Sequence, residues 1–108
     1  LADLLGKCEE VCIPLPVLAE FKSGLLCGSR RQENEALLHT FMAKPSVRLI
    51  LPSRETAEHY ARLYAQLKIA GTPVPINDLW IAALSIEHDL TLISRDHHFQ
   101  RFPQLLVI

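Results

Sequence analysis

Three acidic residues, Glu20, Asp78 and Asp96, come from well-separated stretches of the chain, each close to a short apolar run. Taken singly, each has a plain structural explanation. An acid such as Asp78 in the opening turn of a helix is favoured by the positive end of the helix dipole. Glu20 alone fits a solvated helix face, and Asp96 alone fits a turn. Gathered at one place they would mean more, because clustered carboxylates repel one another and need a cation. Hard oxygen ligands that leave open positions suit Mg²⁺ or Mn²⁺, either of which can activate water and stabilise a phosphoryl transition state.

Whether the three meet depends on the elements that carry them. Residues 1–7 read as the end of a helix, with Leu1, Leu4 and Leu5 on one face and Gly6 as the stop. Val11-Cys12-Ile13 reads as a strand ended by Pro14, and Pro16 sits in the first turn of a helix running to about Leu26. Its apolar stripe is Val17, Leu18, Phe21 and Leu25. A second helix, about Arg31 to Ala43, carries Ala36, Leu37, Thr40 and Phe41, and Pro45 follows it. Val47–Leu51 is the next strand. Ser53 is placed to cap a helix reaching about Ile69, with Thr56 where a capping box calls for Glu or Gln, so the box is expected to be incomplete. Ala57, Ala61, Tyr64 and Leu67 should face inward. The loop Gly71-Thr-Pro-Val-Pro75 leads to Asn77 as cap of the nearly all-apolar helix Leu79–Ile86, which should be buried. Thr91–Ser94 and Leu105–Ile108 are strands without alternation, the pattern of positions covered on both faces. Short apolar strands alternating with amphipathic helices predict an α/β/α sandwich of three layers around a mainly parallel sheet. In such sheets ligands bind at the carboxyl ends of the strands and the adjoining helix N-termini. Glu20, Asp78 and Asp96 all fall on that rim.

Composition narrows the classes further. The 108 residues fit one domain, and 49% hydrophobic with 21% charged side chains is far from a disordered composition. With 11 basic against 12 acidic residues the chain is no polycation, although a local basic patch would still allow nucleic-acid binding. No uncharged apolar run approaches the ~18 residues of a membrane span, so a soluble chain is expected. Asp3, Lys7, Glu9 and Glu10 interrupt anything resembling a signal peptide. Cys8, Cys12 and Cys27 form no CxxC and have no matching His pair, which favours thiols in a reducing cytoplasm over zinc ligands.

Two motifs carry a family resemblance. Pro75-Ile-Asn-Asp-Leu-Trp-Ile-Ala-Ala83, followed by Thr91-Leu-Ile-Ser-Arg-Asp-His-His-Phe99, resembles the C-terminal half of a PIN domain, nearest to the VapC-type toxins of bacterial toxin–antitoxin pairs. Ile13-Pro-Leu-Pro-Val-Leu-Ala-Glu-Phe-Lys-Ser-Gly24 resembles that family's second strand and acid-bearing helix. The resemblance implies that Glu20, Asp78 and Asp96 are the second, third and fourth acidic positions, with Asn77 and Ser94 as accompanying polar positions. It further implies Mg²⁺- or Mn²⁺-dependent cleavage of RNA and a cognate antitoxin that silences the site; a homodimer in the cytoplasm is the accompanying expectation. Family members open with a central strand ending in an Asp-x-Asn-like motif that supplies the first metal ligand. This chain starts after that motif, so the expectation is a single, N-terminally incomplete PIN-like domain, an enzyme where the upstream strand is present.

Other readings follow from the same residues. A truncated PIN-like chain that binds a partner without assembling the full acidic site is the alternative to a nuclease. A phosphoacceptor receiver domain needs a lysine near the last strands, and Lys7, Lys22, Lys44 and Lys68 all lie elsewhere. Lys22, Arg30, Arg31, Arg95 and Arg101 are either phosphate contacts or ordinary surface. His97 and His98 follow Asp96 and are placed to touch substrate, but metal-activated water requires no histidine base. Phe21, Tyr60, Tyr64 and Trp80 fall at core spacing, which assigns them to packing or subunit contacts before base stacking. Four glycines, none in GxGxxG or Walker spacing, exclude a phosphate loop.

Overall fold

The structure, a computed structural model, describes residues 9–108. The helix read over residues 1–7, with Asp3, and the thiol of Cys8 lie outside the described residues. The chain divides into two compact units, one up to Ile50 and one from Leu51 onward.

In the first unit, β1 (Val11–Pro14) pairs in parallel with β2 (Val47–Ile50), Val11 opposite Val47 and Pro14 opposite Ile50. Two helices, α1 (Leu15–Cys27) and α2 (Arg31–Met42), connect the strands, as a parallel pairing requires a long crossover. Pro14 ends the strand and serves as N-cap of α1, and Pro16 occupies the first turn, where its missing N–H costs no hydrogen bond. The apolar stripe expected on α1 is buried only at Leu25, and Phe21 remains 52% exposed. No residue of α2 is buried, and Leu37 is 68% exposed. Between the two helices lies an open apolar groove of about 300 Å³, floored by residues such as Val17, Leu18, Phe41 and Met42.

The second unit is built around α3 (Arg54–Ala70) and α4 (Ile76–Glu87). Leu79, Ile81, Ala82, Ala83 and Leu84 of α4 are buried, as its all-apolar sequence demanded. They meet Leu63 and Leu67 of α3, joined by Phe99, Phe102 and Leu105 from the chain's end. Burial of Leu84 and Phe102, which are essentially inaccessible, contributes about 1.5–3 kcal/mol each. On α3 the inward face is Thr56, Leu63 and Leu67 with Tyr60 half-buried, whereas Ala57, Ala61 and Tyr64 are exposed. The face is turned by one residue from that expected because a buried threonine anchors it. The Thr56 hydroxyl accepts the Ser53 N–H at 2.9 Å and donates to Glu87 Oε1 at 2.5 Å. Threonine thus completes the capping box, which the sequence predicts to be incomplete without Glu or Gln at this position. Tyr60 packs on Trp80 with ring centroids 4.4 Å apart, so both are packing residues.

Residues 91–94 and 105–108 run parallel through a bridge between Leu92 and Val107. Leu92 N–H donates to Leu106 O and Ile108 N–H to Leu92 O, both at 2.9 Å. Contrary to the expectation of two covered faces, Leu106 and Ile108 are 65% and 59% exposed, the pairing being short and one-sided within its unit. A five-residue 3₁₀ turn, His97–Arg101, fills the connection.

Candidate active site

Pro75, with φ −55° and ψ 148°, is the N-cap of α4, and its carbonyl accepts the Leu79 N–H at 3.1 Å. The cap therefore lies two residues before the expected one. Asn77 becomes an exposed residue of the first turn rather than its cap, and Asp78 follows it in the same turn, its side chain only 13% exposed. That position sets a carboxylate at the positive end of a well-buried helix.

Asp96 is the N-cap of the 3₁₀ turn, and its Oδ1 accepts the His98 N–H at 3.0 Å. Ser94 Oγ accepts the Asp96 N–H at 3.1 Å, so Ser94 fixes the backbone that presents the carboxylate. The His98 N–H bond, helped by the neighbouring His98 and His97 rings, holds the Asp96 carboxyl below the usual carboxylate range.

The turn brings the His98 ring back between the two acids. His98 Nδ1 lies 3.0 Å from Asp78 Oδ2 and 2.9 Å from Asp96 Oδ1. Exposure grades outward across this triad, from 13% at Asp78 through 26% at His98 to 41% at Asp96. Asp78 and Asp96, 18 positions apart, are thus brought together on one nitrogen atom. His97, 77% exposed, stands at the outer edge with Nδ1 3.8 Å from Asp96 Oδ1. Asp96, His97 and His98 each offer a ligand atom within 4.8 Å of the others, a donor set fit for a metal ion.

Glu20 is an exposed residue of α1 in the first unit. Of the basic residues weighed as phosphate contacts, Arg101 donates from Nη1 to the Pro73 carbonyl, which ties the 3₁₀ turn to the loop before α4. Arg31 is paired with Glu35 at 3.0 Å. Lys22, Arg30 and Arg95 are exposed. The bridging position of His98 was not legible as such. The signal available for it is the Asp96-x-His98 spacing, which lets an N-capping acid hold both the backbone and the ring of the residue two places on.

The fold is that of an α/β protein of the PIN class. The chain belongs to the PIN domain family, which matches residues 1–105. Ribonuclease VapC2 of Rickettsia felis is 28% identical over 106 residues, 97% of this chain and 78% of that protein. Ribonuclease VapC5 of Mycobacterium tuberculosis is 30% identical over 91 residues, 84% of this chain and 67% of its own length. Among solved structures, VapBC2 from Rickettsia felis, crystallised with a DNA fragment from its promoter, superposes with a TM-score of 0.85 at 28% identity. That superposition covers 98% of this chain and 79% of the other. Among the described residues no helix is long and apolar enough to cross a membrane.

Proposed function

We propose that the protein is an endoribonuclease of toxin–antitoxin type, dependent on a divalent cation such as Mg²⁺ or Mn²⁺ and acting on RNA in the cytoplasm. The observation that carries this reading is the approach of Asp78 and Asp96 to one point from different elements, in a chain related to VapC ribonucleases. A cation held there supplies Lewis acidity for hydrolysis of a phosphodiester.

The donor set suits such an ion. Both carboxylates are hard oxygen ligands, Asp78 is shielded, and Asp96 is open enough to face a substrate. In this reading Asp78 and Asp96 are the ligands on the second unit, Ser94 orients Asp96, and Asn77 stands beside Asp78 as a polar contact for substrate. Glu20 is assigned to the same ligand set by its motif position alone. An antitoxin partner is supported by the relationship to VapBC2, and we extend the reading to a homodimer.

The test is cleavage of RNA by the purified full chain with Mg²⁺ or Mn²⁺. Asp78→Asn and Asp96→Asn are nearly isosteric, and Asn still accepts the capping N–H at position 96, so the fold should persist. Each should lower cleavage by about 100-fold or more, the scale of losing one preorganised electrostatic contact. Glu20→Gln should do the same. Cleavage at the parent rate by either aspartate variant, or cleavage undiminished in excess EDTA, overturns the reading. A parent chain that binds a protein partner but cleaves nothing is the inactive binding module instead.

A further inference from the structure

We infer that His98 is itself a ligand, through Nδ1, and that the cation between Asp78 and Asp96 is a transition-metal ion in preference to Mg²⁺. The inference rests on Asp78 and Asp96 being cation ligands, and deepens that reading without relying on RNA as the substrate. An imidazole nitrogen carries at most one proton, which points along one direction in the ring plane. Yet Nδ1 of His98 faces two anionic oxygens, at 3.0 and 2.9 Å. A protonated Nδ1 directs its one N–H at one of these oxygens and leaves the other poorly aligned, and an unprotonated Nδ1 sets its lone pair against both carboxylates. A metal ion among the three atoms satisfies all of them.

The spacing agrees. In an octahedron with metal–ligand bonds of about 2.1 Å, adjacent ligand atoms are about 3.0 Å apart. Both edges from Nδ1 have this length, so His98 Nδ1 is spaced from Asp78 Oδ2 and from Asp96 Oδ1 as a neighbouring vertex. The backbone that carries the ring is held there, because its N–H is bonded to Asp96 and the following Phe99 is buried. A mixed nitrogen–oxygen set discriminates by ligand type. Mg²⁺ takes oxygen and keeps its waters, whereas imidazole favours later first-row ions, with affinity rising from Mn²⁺ towards Ni²⁺.

Two measurements on the purified full chain test this, neither of which reads RNA cleavage. Pulsed electron spin-echo spectra of the Mn²⁺-loaded protein should show modulation from a directly bound ¹⁴N. That signal should survive His97→Gln and vanish in His98→Gln. Competition of Co²⁺ against Mg²⁺ should favour Co²⁺, and His98→Gln should reduce that preference by about 10-fold or more, the scale on which ligand-shell changes act. Absence of nitrogen modulation in the parent overturns the inference, whatever the folding of the variants. So does a signal lost in His97→Gln but kept in His98→Gln, or an unchanged Co²⁺ to Mg²⁺ ratio in His98→Gln. Mg²⁺-supported RNA cleavage without nitrogen coordination would sink this inference alone. Nitrogen coordination without RNA cleavage would sink the ribonuclease reading and leave His98 as a ligand.

Discussion

Thr56→Val should destabilise the protein by about 2–3 kcal/mol, although it replaces one β-branched side chain by another of the same shape. Thr56 is fully buried, and its hydroxyl joins the start of α3 to the end of α4 by accepting from Ser53 N–H at 2.9 Å and donating to Glu87 Oε1 at 2.5 Å. Losing a hydrogen bond to a carboxylate costs about 1.5–3 kcal/mol, and losing a neutral one about 0.5–1.5 kcal/mol. Ser53 Oγ already stands 3.4 Å from Glu87 Oε2 and can move in to recover part of the loss, which selects the lower half of the combined range. With a urea m-value of about 2 kcal/mol/M, the midpoint should fall by about 1–1.5 M.

Trp80 is the chain's single tryptophan and packs on Tyr60 across the same pair of helices, so its fluorescence reports the transition directly. Thr56→Ser retains the hydroxyl and loses one methyl, about 0.8 kcal/mol of burial, and should be the milder change. A double-mutant cycle with Glu87→Gln should return a coupling of at least about 0.5 kcal/mol. If Thr56→Val lies within about 0.5 kcal/mol of the parent, or Thr56→Ser costs more than Thr56→Val, the hydroxyl is not what joins these helices and the reasoning fails.

Two smaller predictions follow from single residues. Gly71 ends α3 at φ 70° and ψ 27° with open space where a Cβ would go, so Gly71→Ala should cost about 1–2 kcal/mol through backbone strain alone. Gly71→Asn should cost less, and equal stability of the Ala variant in urea unfolding would refute the strain account. Burial, with the nearby Glu10 carboxylate accepting its S–H at 3.2 Å, raises the Cys12 thiol above its ordinary range. A raised value leaves less thiolate at a given pH, so iodoacetamide at pH 8 should modify exposed Cys27 before Cys12, and Glu10→Gln should speed Cys12. Peptide mapping of labelled protein checks the order, and Cys12 reacting first would contradict it.

Much of the fold was legible because its signals are local. Pro14 and Pro16 mark the passage from β1 to α1, Gly71 and Pro75 bracket the loop before α4, and the apolar run from Leu79 onward can only be a buried helix. The misreadings arise where a side chain's partner is distant in sequence. Alanines at 57 and 61 read as apolar and Thr56 as polar, yet the Glu87 carboxylate, 31 residues away, reverses which side of α3 faces inward. Asn77 reads as a cap from composition alone, but Pro75 has the fixed extended geometry and the free carbonyl that start the helix earlier. The apolar stripes of α1 and α2 are correctly periodic, and periodicity by itself does not say what covers them.

The site shows the same division. The types and positions of Asp78 and Asp96 are legible, since one opens a helix and the other follows an extended segment in a motif. Their meeting at His98 is not, because it depends on how a five-residue turn reverses the chain. Asp96 holds the second N–H of that turn, that of His98, Phe99 anchors its middle in the core, and Arg101 fastens its end to the Pro73 carbonyl. With its start, middle and end secured, the turn has little freedom to present His98 elsewhere. On the other side Asp78 rides on a helix whose next buried residues, from Leu79 to Leu84 but for Trp80, are packed against α3. The two carboxylates are therefore held by separate rigid supports, which is the condition for preorganised electrostatics rather than for a pair of acids that happen to be near. Loosening either support should disturb the site before it disturbs the fold as a whole. Of the two, the turn is the weaker, because its 3₁₀ bonds, 3.4 Å for both Phe99 N–H to Asp96 O and Phe102 N–H to Phe99 O, are long for hydrogen bonds.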